Sequence, residues 1–263
     1  MITWLSSYPK SGNTWVRILL NCYFNGGWID INRLPWGAGD NRKTAYQMVS
    51  PIEYSKLTRA DIIHLRPAAL MNMAAMISQK PMLIKTHHAY GSVDDIPLFP
   101  KHITKRAFYV VRDPREVAPS FAAHMRFDLD QAIKAMNTED YTIAETDQAF
   151  HIISSWSQNV RSWLQHKDFP VHVIKYSNLK KDPGSVLANI LDRIGFEKID
   201  HNLIDKVIEN TQIEKLKDQE KAAGFEESPE GTVFFGGERP KLTDSQKLQI
   251  ENDHAEVMEL AAL

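Results

Sequence analysis

Apolar positions in this chain fall into short, nearly continuous runs separated by stretches with helical spacing. Ile2 to Ser6, Met82 to Lys85 and Ala107 to Val111 are such runs. Their lack of strict alternation predicts strands of a parallel sheet covered on both faces. Val171 to Tyr176 alternates and predicts a fourth strand. Trp15 to Phe24 is apolar on nearly every side, the pattern of a helix laid against a sheet. Ile63, Leu70, Met73 and Ile77 keep helical spacing around Pro67, which predicts two helices between Pro51 and Ile77. Phe150 to Leu164 predicts another, with Trp156 and Trp163 on its core face. Val186 to Ile194 predicts the next, bounded by Pro183 near its start and Gly195 at its end. Asn202 to Glu209, Ile213 to Ala222 and Thr243 to Leu260 complete the helical pattern.

Strands alternating with helices predict an α/β fold: a single domain over residues 1–263, built on an open parallel sheet flanked by helices. In such sheets ligands gather at the carboxyl ends of the strands. Cap and lid loops are expected near 26–60, 89–105, 125–149 and 224–241. The last of these, rich in glycine and proline, predicts a mobile segment that closes over a bound ligand.

Charge narrows the partners. Lys and Arg number 31 against 33 Asp and Glu, a net charge of −2. Whole-molecule attraction to nucleic acid or to an anionic membrane is thereby excluded, so an anion needs a local pocket. The one cysteine, Cys22, lies in an apolar stretch and reads as a buried structural thiol. No basic leader or membrane-length apolar run is present, so a reducing cytoplasm is the expected home.

The candidate chemistry begins at Ser6 to Trp15, SSYPKSGNTW, between the first strand and the first helix. A glycine-containing turn entering a helix offers unpaired amides and the positive end of the helix dipole, a seat for an oxyanion. Lys10 adds a charge, Ser11 and Thr14 add donors, and Gly12 permits close approach. The nucleotide-kinase pattern G-x-x-x-x-G-K-[ST] is absent. A plain tight turn before a helix is the alternative. Further on, Lys85 and His87 lie two apart on a strand and face the same side, toward the loop, whereas His88 faces away.

Tyr8 to Trp15 resembles the 5′-phosphosulfate loop of the cytosolic-type sulfotransferases. Lys85-Thr86-His87, Arg112-Asp113-Pro114 with Ser120, and Tyr176 with Asn178-Leu179 and Lys181-Asp182-Pro183 follow in that family's order. The resemblance implies 3′-phosphoadenosine 5′-phosphosulfate (PAPS) as donor, 3′-phosphoadenosine 5′-phosphate (PAP) as product, and no metal. It implies a loop of Lys10, Ser11, Gly12, Asn13 and Thr14 around the phosphosulfate, with His87 as base. Lys10 would serve the leaving oxygen and Lys85 the transferring group. Arg112 and Ser120 would hold the 3′-phosphate, and Trp15, Tyr176 and Thr211 would surround adenine.

Three departures stand out. Pro119 sits beside Ser120, so the helix there either begins late or kinks. Ile213 replaces an adenine-stacking phenylalanine. Phe235 to Lys241 replaces the family's Arg-Lys-Gly, leaving Arg239 or Lys241 as substitutes. The implied acceptor is a small molecule bearing a hydroxyl or an amine. Its walls are expected from 26–40, 89–101, 125–149 and the C-terminal loop. Trp28, Trp36, Phe127 and Tyr141 either line that pocket or anchor the loops. A nucleotide-phosphate kinase and a non-catalytic PAP- or PAPS-binding protein are the competing functions, and a homo-oligomer is left open.

Overall fold

Ile2–Ser7 (β1) is buried along its whole length, as a strand with neighbours on both sides and helices on both faces must be. The computed structural model describes residues 1–76, 83–144, 149–229 and 232–263. After β1 come α1 (Asn13–Phe24), β2 (Ala38–Gly39), α2 (Lys43–Gln47), α3 (Arg59–Met76) and β3 (Leu83–Thr86). The short strands β4 (Ser92–Val93) and β5 (Ile96–Pro97) form a hairpin before β6 (Thr104–Val111), α4 (Pro114–Met125) and α5 (Leu129–Asn137). A second antiparallel pair, β7 (Thr142–Ile143) and β8 (His151–Ile152), precedes α6 (Trp156–Gln165) and β9 (Val171–Lys175). The chain ends with α7 (Tyr176–Lys181), α8 (Pro183–Ile194), α9 (His201–Asn210), α10 (Ile213–Ala223) and α11 (Asp244–Leu260).

The main sheet is parallel throughout, in the order β2-β3-β1-β6-β9. Successive residues of each strand enter opposite cores. Trp4, Ile84 and Tyr109 join one apolar cluster with α3, α4, α6 and α11. Leu5, Leu83, Phe108 and Val110 join another with α1, α8 and α9. Burial on both faces is why the strands read as uninterrupted apolar runs. Trp156, Trp163 and Cys22 lie in these cores as expected, and burial raises the Cys22 thiol to about 11.

Four expectations change. Between Pro51 and Met76 a three-residue 3₁₀ turn at Tyr54–Lys56 precedes a single α-helix, α3, which runs through Pro67 where a break between two helices was expected. Its neighbour Arg66 is buried and fixed by the Asp40 carboxylate at 2.6 Å and the Leu98 carbonyl at 3.0 Å, and this anchoring outweighs the hydrogen bond proline removes. Ile77 and Met82 lie outside the described residues. The expected helix from Phe150 divides into β8 and α6, because Ser155 caps the Gln158 amide and starts the helix late. The stretch 125–149, read as loop, contains α5, which opens with an Asp128/Gln131 capping box. Near Pro119, α4 begins at Pro114 under an Asp113 cap and continues through the proline, so the late start does not occur.

Asp40 follows β2 and donates its amide to the Lys85 carbonyl at 3.0 Å. Burial alone would raise its carboxyl, but Arg66 and then His151 hold it well below the usual carboxylate range. No helix among the described residues is long and apolar enough to cross a membrane. Replacing Arg66 by methionine strands a buried carboxylate and should cost about 3–5 kcal/mol of stability. The double variant Asp40→Asn/Arg66→Met should recover much of that loss, as read from urea-unfolding midpoints.

Candidate functional site

The loop that follows β1 is shaped by two residues with positive φ, Lys10 at 65° and Gly12 at 111°. Gly12 is the N-cap of α1 and offers no capping side chain, so the first-turn amides of the helix keep their anion-binding capacity. A Cβ on Gly12 would lie 2.7 Å from Cδ2 of Tyr176, so glycine lets that ring close against the loop. Asn13 pins the loop from below, its amide donating to the Leu5 carbonyl at 3.1 Å and to Ser7 Oγ at 3.4 Å. Ser11 is buried with its hydroxyl unpartnered among the described residues.

Above the loop lies a cavity of about 630 Å³. Lys10, Gly12, Asn13, Thr14, Trp15, Lys85, His87, Arg112, Ser120, Tyr176, Thr211 and Arg239 all line it, drawn from separate parts of the chain. The cations crowd one another. Burial, followed by Arg239, Lys85 and Arg112, lowers the Lys10 ammonium to about 7. Its Nζ rests 3.8 Å above the ring of Phe234. Arg112 donates to the Lys10 carbonyl at 3.0 Å and to Glu116 at 3.0 Å, with its guanidinium 4.1 Å from the centre of Tyr176. Trp15 meets Tyr176 edge-on at 6.0 Å, and the two make an aromatic corner.

Thr211 spends its hydroxyl on the Val207 carbonyl at 2.8 Å, so it offers the cavity an apolar surface beside Ile213. Arg239 is held by the carbonyls of Val233, Phe234 and Glu238. Lys241 is exposed and does not line the cavity, so of the two C-terminal cations only Arg239 is brought to it.

His87 has its tautomer set by the backbone. Its Nδ1 lies 2.8 Å from the Ser7 carbonyl, which can only accept, so Nδ1 carries the proton and Nε2 keeps a free lone pair. Asn159 donates to the His87 carbonyl at 3.2 Å, and Tyr109 donates in turn to Asn159. Burial, then Lys85 and His151, pushes the His87 imidazole well below its ordinary value, so it is neutral at pH 7. His88 points into the protein, where its Nδ1 accepts from the Ile152 amide at 3.0 Å. Both histidines lie beyond the end of β3 at Thr86, so strand alternation does not set their facing, and both rings meet His151, at 5.7 and 4.7 Å; of the two, His87 lines the cavity and His88 does not.

Asp40, His88 and His151 form a buried trio with the donor types of a metal centre. Asp40 is already engaged by Arg66 at 2.6 Å and His151 at 2.8 Å. Its single negative charge is neutralised, leaving nothing to balance a divalent ion in that interior.

Several cavity residues carried no signal in the sequence. His124 lines the cavity one turn beyond Ser120, and burial, then Lys10, lowers it to about 3. Glu227 places both carboxylate oxygens on Arg17 Nη1, at 2.6 and 2.8 Å, across 210 residues of chain. Burial would raise its carboxyl, but Lys85 and Arg17 hold it at about 2. Of the two residues that orient His87, Ser7 lies in the Ser6 to Trp15 stretch without a role having been read for it, and Asn159 belongs to no recognisable motif. The Asp128/Gln131 box and the Ser155 cap on the Gln158 amide were missed features with a local signature.

The remaining wall is largely apolar, from Phe121, Met125, Ile143, Ala144 and Phe234. Residues 26–40 and 89–101 do not line the cavity, and neither do Trp28, Trp36, Phe127 or Tyr141. Trp36 stacks on Phe24 at 3.9 Å and Phe127 meets Phe121 edge-on, so both anchor loops, whereas Trp28 is 61% exposed.

Residues 2–253 match the family model described as the sulfotransferase domain. Luciferin sulfotransferase of Photinus pyralis is 26% identical over 228 residues, 81% of this chain and 56% of the relative. Sulfotransferase 1A1 of Bos taurus is 25% identical over 221 residues, 81% of this chain and 65% of the relative. The matched stretch is thus less than two thirds of either relative's length. Among solved structures, retinol dehydratase with androsterone and inactive cofactor PAP superposes with a TM-score of 0.61 at 16% identity, covering 98% of this chain and 80% of that one. A mouse sulfotransferase complexed with PAP superposes with a TM-score of 0.59 at 20% identity, covering 99% and 85%. At these identities the superpositions establish the shared fold.

Gly12→Ala combines a forbidden φ with a clash against Tyr176, and should lower stability by about 1–3 kcal/mol. Urea denaturation followed through tryptophan fluorescence checks it.

Proposed function

The chain belongs to the sulfotransferase family, and we propose that it moves the sulfuryl group of PAPS to a hydroxyl or amine of a small-molecule acceptor, releasing PAP. The observation that carries this reading is the orientation of His87. With Nδ1–H committed to the Ser7 carbonyl, Nε2 is a vacant proton acceptor in the cavity that also holds Lys85 and the phosphate loop. That combination suits an acceptor hydroxyl whose oxygen attacks sulfur while its proton passes to Nε2. The bond from sulfur to the 5′-phosphate oxygen breaks as the new one forms. Charge gathers on the leaving phosphate, where Lys10 and the α1 amides lie, and on the sulfuryl oxygens, which Lys85 serves.

Arg112, Ser120 and Arg239 line the same cavity, which supports reading them as the groups that hold a 3′-phosphate and distinguish PAPS from other adenine nucleotides. Trp15 and Tyr176 supply aromatic walls for adenine, with Thr211 and Ile213 as an apolar edge. The apolar wall from Phe121 to Ala144 favours an acceptor with an apolar body, in keeping with a relative named for luciferin. A single buried thiol, Cys22, suits a cytoplasmic home. The kinase and non-catalytic alternatives draw no support from the family match.

Three variants separate the roles on one alcohol acceptor. His87→Ala should keep PAP affinity and lose about 10²–10⁴-fold in turnover, whereas Lys10→Ala should lose affinity and turnover together. Near-normal turnover in His87→Ala, with loss in His88→Ala, would assign the base to His88.

Lys10 also makes PAP binding depend on pH. The free ammonium titrates near 7, and a bound phosphate favours its charged form, so binding takes up a proton above that pH and none well below it. PAP affinity should therefore weaken as pH rises through about 7. Titration calorimetry in buffers of different ionisation enthalpy should record proton uptake on the alkaline side, and Lys10→Arg should abolish it.

A further inference from the structure

Two acids line the cavity, Glu116 and Glu227. Glu116 is tied to Arg112 and Lys180, each at 3.0 Å, at its rim. Glu227 stands among the groups assigned above to the donor. Its carboxylate meets Arg17 at 2.6 Å, lies 3.5 Å from the Thr14 hydroxyl and 3.8 Å from Lys85 Nζ. Thr14 belongs to the first turn of α1, and Arg17 follows three residues later on the same helix face.

Arg17 is almost enclosed, reaching only the outer cavity that Glu227 also lines. Its side chain is 4% exposed, and a Cβ on Gly37 would come within 2.8 Å of its Cγ, so the loop backbone lies directly against it. A guanidinium so enclosed needs an anion beside it. Thr14, Arg17 and Lys85 therefore make a seat for one oxyanion, and a carboxylate and a phosphosulfate cannot share it without strong repulsion.

Glu227 belongs to no helix or strand, whereas its seat does. It sits in the irregular stretch after α10, where Asn32 holds the backbone through the Gly224 carbonyl at 3.1 Å and the Glu226 amide at 2.9 Å. The seat itself rests on β3 and α1, rigid parts of the sheet and its first helix.

We propose that Glu227 is an internal surrogate for the donor's oxyanion. Its carboxylate fills the Thr14–Arg17–Lys85 seat in the ligand-free chain, withdraws as the phosphosulfate arrives, and leaves Arg17 as a further donor-binding residue. On return it competes with PAP and hastens its release. This inference rests on the reading of PAPS as donor. It divides the C-terminal loop: residues 224–229 loosen when nucleotide enters, while Arg239 stays with the 3′-phosphate.

Titration calorimetry with PAP on the wild type, Glu227→Gln and Glu226→Gln tests it. Glu226 carries the same charge on the adjacent residue and shares the outer cavity with Glu227, but does not line the inner one. Glu227→Gln should bind PAP about five-fold tighter, and Glu226→Gln should match the wild type. Unchanged or weaker binding by Glu227→Gln, or an equal gain in Glu226→Gln, overturns the proposal. Hydrogen exchange on the wild type needs no variant: PAP should speed exchange of the amides of residues 225–228, and slowed or unchanged exchange there also overturns it. Failure of the wild type to bind PAP at all overturns the donor reading, and this inference with it.

Discussion

The parallel pairing of β1 between β3 and β6 is the constraint on which the site depends. Leu5 stands opposite Lys85 on one side and Phe108 on the other, and Ser7 pairs with Val110. This register brings the phosphate loop, the Lys85–His87 stretch and Arg112 out of the sheet at one level. A two-residue slip of either neighbour would preserve every inward-facing side chain. It would also shift a charged group by about 6–7 Å, the rise of two strand residues. The apolar cores fix which face is buried; the buried polar ties, Asp40 to the Lys85 carbonyl and Asn159 to the His87 carbonyl, fix the position along the strand.

Concentrating cations in a cavity works against the folded state and in favour of the ligand. Lys10 is lowered to about 7 because it is buried among Arg239, Lys85 and Arg112, and an anion relieves that crowding when it binds. In the free chain the relief is partial and comes from within, through Glu116 on Arg112 and Glu227 on Arg17. Carboxylates there are counterions first, and under the proposed function their hold on the cations sets how readily a nucleotide displaces them.

Much of this was legible in the sequence because its causes are local. Strands buried on both faces are uninterrupted apolar runs, and the loop, Lys85, His87 and Arg112 sit in short motifs whose residue types carry their chemistry. What the sequence hid depends on distant contacts. Pro67 reads as a break because its local cost is visible, while the Asp40 partner that holds Arg66 is not. Phe150 to Trp156 keeps helical spacing although it crosses from β8 into α6. Arg17 and Glu227 are ordinary surface residues by composition and meet only after the sheet has assembled. Lys241 offered the right charge, but lies outside the cavity that Arg239 enters.

The hydrogen bond from His87 to Ser7 bears on the end of a catalytic cycle as well as its start. Behind Nδ1 stand the Ser7 carbonyl at 2.8 Å, which has no proton to pass along, and the Ser7 hydroxyl at 3.3 Å, which accepts from Asn13; for His87 in its proposed role as base, the nearer contact offers a proton gained at Nε2 no relay through the interior. It departs by the side it entered, through the cavity and only once that cavity is open to water. In the proposed reaction, regeneration of the base is thereby coupled to product departure: a molecule that keeps its products also keeps its proton.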